Sequence, residues 1–217
     1  HSLVGSEMCI RDSCMAASVM VGVDNVQHII DRMVEDAKSI VPGDNLGSVI
    51  TAEAKARIEG YIAEAEANGA KILLDGRNAT VAGKEGGFYV GPTIIDYVTT
   101  DMSVAREEIF GPVISIIRAK DLDEAIKIEN GSNYGNAAAV FTQSGGLAKQ
   151  VMERASAGMI GVNIGVPVPR EPFSFGGWND SKFGVGDITG RSSIEFWTQN
   201  KKTTIKWNPE AQTNWMS

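Results

Sequence analysis

Between residues 113 and 163 short apolar runs alternate with amphipathic stretches of roughly ten residues, and this alternation constrains the fold more than any other feature. Residues 113–117 (VISII) read as a buried strand. A helix follows, opened by Asp121 with Glu124 at capping-box spacing and closed at Asn130-Gly131. Residues 137–141 read as the next strand, 146–155 as a helix and 158–163 as a further strand. Parallel strands need long crossovers, which helices supply, so the pattern specifies βαβ units. The expected class is α/β, a largely parallel sheet with flanking helices.

Upstream, residues 15–23 have strand composition. A helix with apolar positions Val26, Ile29, Ile30, Met33, Val34 and Ala37 is expected from an N-cap at Asp24 to about Val41, stopped by Pro42-Gly43-Asp44. Residues 51–68 predict a second helix with Gly69 as its C-cap, leading into a strand at 71–74. Residues 88–96 read as extended and broken by Gly91-Pro92. Beyond Asn163 the spacing of Pro167, Pro169 and Pro172 predicts a long loop, the wall of a substrate tunnel in a functional reading. Residues 198–202 read as a polar turn and 203–207 as an edge strand, whose unpaired backbone invites a partner subunit. Residues 208–217 read as a tail. Residues 1–13 show neither period, nor a signal-peptide pattern, and are expected to be a foreign segment outside the fold.

Composition excludes several functions. A net charge of −7 without clustered Lys and Arg argues against nucleic acid as a partner, and no apolar run is long enough to cross a membrane. Two histidines, His1 at the terminus and His28 on a polar helix face, leave no base for a Ser-His-Asp or Cys-His hydrolase and too few ligands for zinc. Two cysteines, Cys9 and Cys14, are too close together to brace a domain of this size, which points to an intracellular, reducing setting. Matches to the glycosylation pattern at Asn78, Asn130 and Asn179 are then expected to be fortuitous.

The chemistry concentrates in residues 107–113, Glu-Glu-Ile-Phe-Gly-Pro-Val. Gly111-Pro112 marks a turn, and the paired carboxylates read either as solvated loop charges or as acceptors for sugar hydroxyls. Cys14, before an apolar strand, reads either as an inert buried small residue or as a nucleophile. Phe175 beside Gly176-Gly177 fits a core position as well as a tunnel wall.

Residues 107–112 resemble the Glu-Glu-x-Phe-Gly-Pro signature of the aldehyde dehydrogenase superfamily. Cys14-Met15-Ala16, Gly91-Pro92-Thr93-Ile94-Ile95, Tyr134-Gly135-Asn136, Gly161-Val162-Asn163, Val166-Pro167-Val168-Pro169 and Phe173-Ser174-Phe175 are similar to the CoA-acylating methylmalonate or malonate semialdehyde dehydrogenases within it. The resemblance covers residues 14 to about 207. It implies that Cys14 is the nucleophile, that Glu108 holds the nicotinamide ribose of NAD, that Phe110 lines the nicotinamide site and that Phe175 lines the aldehyde tunnel, with Glu107 a structural ion-pair partner. It further implies thioester chemistry with CoA as co-substrate and a homo-oligomer, in cytoplasm or mitochondrial matrix.

The resemblance is not complete. The family's arginine before the nucleophile is Ser13 here, which leaves recognition of a substrate carboxylate open. Residues 184–190 have the wrong spacing for a dinucleotide fingerprint, and the side-chain amide of the oxyanion site is not among these residues. The expected organisation is therefore a foreign segment at 1–13, an aldehyde dehydrogenase catalytic domain at 14–197, an oligomerisation strand at 198–207 and a tail at 208–217, with little turnover by itself. The competing readings are a general NAD(P)-dependent aldehyde dehydrogenase releasing a free acid, and a noncatalytic α/β oligomerisation module.

Overall fold

The computed structural model describes residues Leu3–Glu7 and 15–207. In chain order they form strand β1 (Leu3–Glu7), strand β2 (Val19–Val23), helix α1 (Gln27–Ala37), helix α2 (Ala52–Ala67), strand β3 (Lys71–Leu74), strand β4 (Thr93–Asp96) and helix α3 (Ser103–Arg106). There follow strand β5 (Val113–Ala119), helix α4 (Leu122–Asn130), strand β6 (Tyr134–Gly135), strand β7 (Ala137–Phe141), helix α5 (Gly145–Arg154), strand β8 (Met159–Val162), strand β9 (Trp178–Asn179) and helix α6 (Gly190–Trp197). Seven strands make one sheet in the order β3-β4-β5-β2-β1-β7-β8, and β6 pairs separately with β9.

The expected α/β class holds. β4, β5 and β2 are parallel neighbours, as are β7 and β8, while β1 runs antiparallel to both β2 and β7, so β2 and β7 share one direction. Only β1 and β3 oppose the rest. Alternation along β2 sorts the layers: Val19, Val21 and Val23 face the clusters under α2, α3, α4 and α5, whereas Met20 packs with Val26 and Ile30 of the α1 side. A sheet covered on both faces needs strands that are apolar throughout, and all five residues of β2 are buried.

Local signals set several boundaries. The Thr51 hydroxyl accepts from the Ala54 N–H at the start of α2, and Gly69 takes φ +97° after its end. The Asp121 carboxylate accepts from the Glu124 N–H, while the Glu124 carboxylate reaches back to the Lys120 N–H. Helix α1 departs from expectation. Asp24 is not its cap but a φ +60° residue donating its N–H to the Ala119 carbonyl, and Val26 precedes the first turn without a side-chain cap.

Residues 3–7 pair with β2 on one side and β7 on the other, where the facing edges of both strands require backbone partners. Residues 203–207, expected as an edge strand, are exposed and belong to no strand among the described residues. Helix α6, unforeseen, buries none of its residues. Among the described residues no helix is long and apolar enough to cross a membrane, and no group of His, Cys, Asp and Glu could hold a metal ion.

Candidate active site

Parallel neighbours in register bring together the segments that precede them. Val19 pairs with Ser115, so residues 15–18, which lead into β2, and residues 108–112, which lead into β5, emerge side by side at the amino ends of these strands. The Ser115 N–H donates to the Ser18 carbonyl at 3.0 Å, tying the two segments together. Cys14, with Cys9 and Ser13, lies outside the described residues.

Residues 108–112 are held from both sides. Ile109 is buried in the core cluster beneath α2, and the Arg57 guanidinium donates to the Glu108 carbonyl at 3.3 Å. The Thr93 N–H donates to the Pro112 carbonyl at 2.8 Å. Gly111 is there for close approach, since a Cβ at that position would stand 2.8 Å from Ile58 Cδ1. With Ile109 inward, Glu108 is half-buried and Phe110 turns out, 68% exposed at φ +53°. A bulky side chain in the left-handed region costs of order 1–3 kcal/mol and persists only where its surroundings enforce it. The result is an aromatic ring displayed next to a half-buried carboxylate.

The β6–β9 pair faces this motif. Burial pushes the Tyr134 phenol above its ordinary value, and the negative charges of Glu107, Asp180 and Glu108 push it further the same way. Tyr134, Glu107, Glu108 and Asp180 therefore share one acidic neighbourhood. Glu107 forms no ion pair among the described residues, contrary to the structural role expected of it; its N–H donates to the Ser103 carbonyl at the end of α3.

Phe175 is half-buried on the loop before β9, its N–H donating to the Thr189 hydroxyl at 2.8 Å and its carbonyl accepting from Ile188. The loop is seated on a small-residue joint. A Cβ on Gly177 would stand 2.9 Å from Asn136 Cα, and the Gly135 N–H donates to the buried Ser181 hydroxyl. The Asn136 amide is wholly buried there, and neither of its polar atoms meets a hydrogen-bond partner among the described residues. Behind it Glu129, 4% exposed, accepts from the Ser156 N–H at 3.1 Å, and burial raises its carboxyl above the usual range.

Glu108 and Asp180 thus lie within electrostatic reach of Tyr134, Phe110 follows Glu108 two residues on, and Phe175 precedes β9 on its loop. Sequence reasoning gave Tyr134 and Asp180 no role, although Tyr134-Gly135-Asn136 stood out as a motif. Asp180 carried no local signal. A 580 Å³ groove between α3 and α4, over Val19 and Ile117, is lined by Arg106 and Asn133, the neighbours of Glu107 and Tyr134, but by none of Glu108, Phe110 and Phe175.

The aldehyde dehydrogenase family model matches residues 8–203. The chain belongs to the aldehyde dehydrogenase family. It is 43% identical over 203 residues to malonate-semialdehyde dehydrogenase 2 of Bacillus thuringiensis (strain Al Hakam), an alignment covering 90% of this chain and 42% of that protein. A structure from Sinorhizobium meliloti 1021, described as a candidate methylmalonate-semialdehyde dehydrogenase complexed with NAD, superposes with TM-score 0.86 at 39% identity over 91% of this chain and 42% of the other. Methylmalonate-semialdehyde dehydrogenase of Oceanimonas doudoroffii gives TM-score 0.86 at 36% identity with the same coverage. This aldehyde dehydrogenase chain spans less than half the length of the relatives it matches.

Proposed function

We propose that the chain supplies the C-terminal catalytic portion of an NAD-dependent, CoA-acylating malonate or methylmalonate semialdehyde dehydrogenase. The observation that carries this reading is the half-buried Glu108 beside the outward-held Phe110, within a chain of this family. A carboxylate accepts from the two ribose hydroxyls of a dinucleotide, and an exposed aromatic face offers a surface to a flat ring. These two residues fit the nicotinamide end of NAD, which one solved relative is described as binding.

In this reading the Cys14 thiolate attacks the aldehyde carbon and forms a thiohemiacetal. NAD, when bound, accepts the hydride that converts this adduct to a thioester. The thiolate of CoA then attacks the thioester carbon, Cys14 leaves as thiolate, and acyl-CoA departs. Phe175 lines the approach of the aldehyde. The exposed segment 201–207 and the uncovered apolar residues of α6 support assembly into a homo-oligomer. The relatives named above are bacterial, which favours the cytoplasm over a mitochondrial matrix.

The test has two parts. NAD reduction with malonate semialdehyde and CoA is expected to be absent for this chain by itself; turnover at rates of full-length enzymes would refute the account of the missing cofactor contacts. Alkylation in a Cys9→Ser background then probes the nucleophile. Rapid modification of Cys14 supports a reactive site, whereas protection in the folded state favours a noncatalytic module. In a relative-length chain, activity that does not depend on CoA would select the acid-releasing alternative.

A further inference from the structure

The groove between α3 and α4 is built like a small-molecule pocket. Its 580 Å³ falls within the roughly 300–1,000 Å³ usual for such sites. Val19, Val98 and Ile117, all buried, supply its apolar lining together with the half-buried Ala105 and Ile128. Pockets of this kind hold a ligand by an apolar wall and orient it by a few polar groups.

Here the polar groups are two cations at one end. Helix α3 closes just before β5 begins, and α4 closes just before β6 and β7, so Arg106 and Lys127, in the last turns of the two helices, stand toward the same end of the sheet. Both line the groove, both are exposed, and neither forms an ion pair among the described residues. The acids nearest Lys127 along its helix are engaged elsewhere. Asp123, the natural partner at i,i+4 spacing, accepts from Arg154 at 2.7 Å, and Glu124 accepts from the Lys120 N–H at 2.8 Å. Arg118, also along the groove, is by contrast held by Asp96 and Gln27.

We propose that this groove is a binding site for a medium-chain aliphatic carboxylate, its head group at Arg106 and Lys127 and its chain along Val19, Ile117 and Ile128. Charge-assisted hydrogen bonds hold the carboxylate, and the apolar lining covers the chain. From Glu124 to Gly131, both on the groove wall, α4 rises about 10 Å, which accommodates an extended chain of this class. An inorganic anion would leave the apolar wall bare, and a neutral hydrocarbon would use neither cation. The occupant touches Val19, next to the Ser18 carbonyl that accepts from Ser115, and Arg106, next to Glu107, so it rests against both segments that frame the candidate site. The inference stands on the shape and charge of the groove and is independent of the catalytic reading.

Calorimetric titration of this chain with octanoate, 1-octanol and octylammonium tests it. Octanoate should bind saturably at one site, and the alcohol and the ammonium at least about tenfold more weakly. The double variant Arg106→Gln/Lys127→Gln alters exposed side chains only, so it should keep the melting temperature while losing octanoate affinity by at least about tenfold. No saturable binding of octanoate, equal binding of the alcohol or the ammonium, or undiminished octanoate affinity in the double variant would each overturn the proposal.

Discussion

Gly111 sits between the displayed Phe110 and Pro112, and its contact with α2 can be tested by a double-mutant cycle. An added methyl at Gly111 would lie 2.8 Å from Ile58 Cδ1 and 3.0 Å from both Cγ1 and Cγ2. Ordinary carbon contacts are about 3.5–4.0 Å, so the overlap is roughly 0.5–1 Å against three atoms at once. Ile58 is wholly buried in the cluster with Ile62, Val104 and Ile109, and α2 is tied to residues 107–112 through Arg57. Neither side can yield freely. The backbone of Gly111 is outside the left-handed region, so alanine carries no conformational penalty there and the effect is steric.

Gly111→Ala should therefore cost about 1–3 kcal/mol, the range for an overpacked core. Ile58→Ala removes all three clashing atoms and should cost about 2–5 kcal/mol by itself, because it leaves a cavity. In that background the methyl at Gly111 enters the vacated space, so the double variant should be at least ~1 kcal/mol more stable than the sum of the two single effects predicts. Urea unfolding with unchanged slopes measures all three. Additivity within about 0.5 kcal/mol would show that the glycine is not required by Ile58, and the steric account of the turn would fail.

Other perturbations probe the frame and the joint. Asp96, 2% exposed, accepts from both Nε and Nη2 of Arg118, so Arg118→Met should cost about 3–5 kcal/mol in thermal or chemical denaturation by stranding a buried carboxylate. A Cβ on Gly76 would run into the Gly91 carbonyl group, which is backbone and cannot rotate aside. Gly76→Ala should thus cost about 3 kcal/mol or more and free the β3–β4 pair for proteolysis. The Glu129 carboxyl is raised by burial, so folding retains its proton to higher pH than unfolding does. Its contribution to stability is present below the ordinary carboxylate pKa and is lost as the pH rises through the raised value. Glu129→Gln keeps an acceptor for the Ser156 N–H, and it should stabilise the protein by roughly 1 kcal/mol at pH 7 and flatten the decline that sets in above the ordinary carboxylate pKa, as read from melting curves. An unchanged pH profile would remove Glu129 from the account.

What the sequence disclosed is what neighbours along the chain decide. Thr51 and Gly69 bracket α2, Asp121 and Glu124 start α4, and strands β3 and β7 fall at the residues their composition indicates. The failures are matters of partnership. Asp24 has the chemistry of a cap, yet the Ala119 carbonyl claims its N–H and moves the helix start two residues on. The two-residue strands β6 and β9 are about forty residues apart, and pairing over such a distance leaves no local pattern. Residues 203–207 alternate as a strand should, but alternation cannot supply the second edge. Glu108 and Phe110 were legible only as part of a motif; the electrostatic proximity of Glu108 and Asp180 to Tyr134 depends on the β6–β9 pairing and was not.

The end of the sheet that bears these residues is unusual for its class, and its electrostatics follow. Open α/β sheets as a rule place ligands beyond the carboxyl ends of their strands, where helix amino termini offer N–H groups to phosphate. Here residues 15–18, 108–112 and 134–136 precede β2, β5 and β7, so the site lies at the amino ends. Helices reach that end by their carboxyl termini: α3 closes at Glu107, α4 at Gly131 and α5 at Ala155, and each presents the negative end of its dipole. Glu107, Glu108 and Asp180 add charge of the same sign. Arg106, Lys127 and Arg154 in the last turns of these helices offset part of that charge, and the carboxylates remain as acceptors for sugar hydroxyls. On the proposed reading, then, this chain grips the nicotinamide ribose, and the donors for the phosphates come from elsewhere in a relative-length protein. Mixing this chain with NAD should accordingly give affinity little better than that for the nicotinamide riboside moiety, and Glu108→Gln should abolish what there is. Calorimetric titration showing tight, phosphate-dependent binding to the isolated chain would contradict this division of the cofactor's contacts.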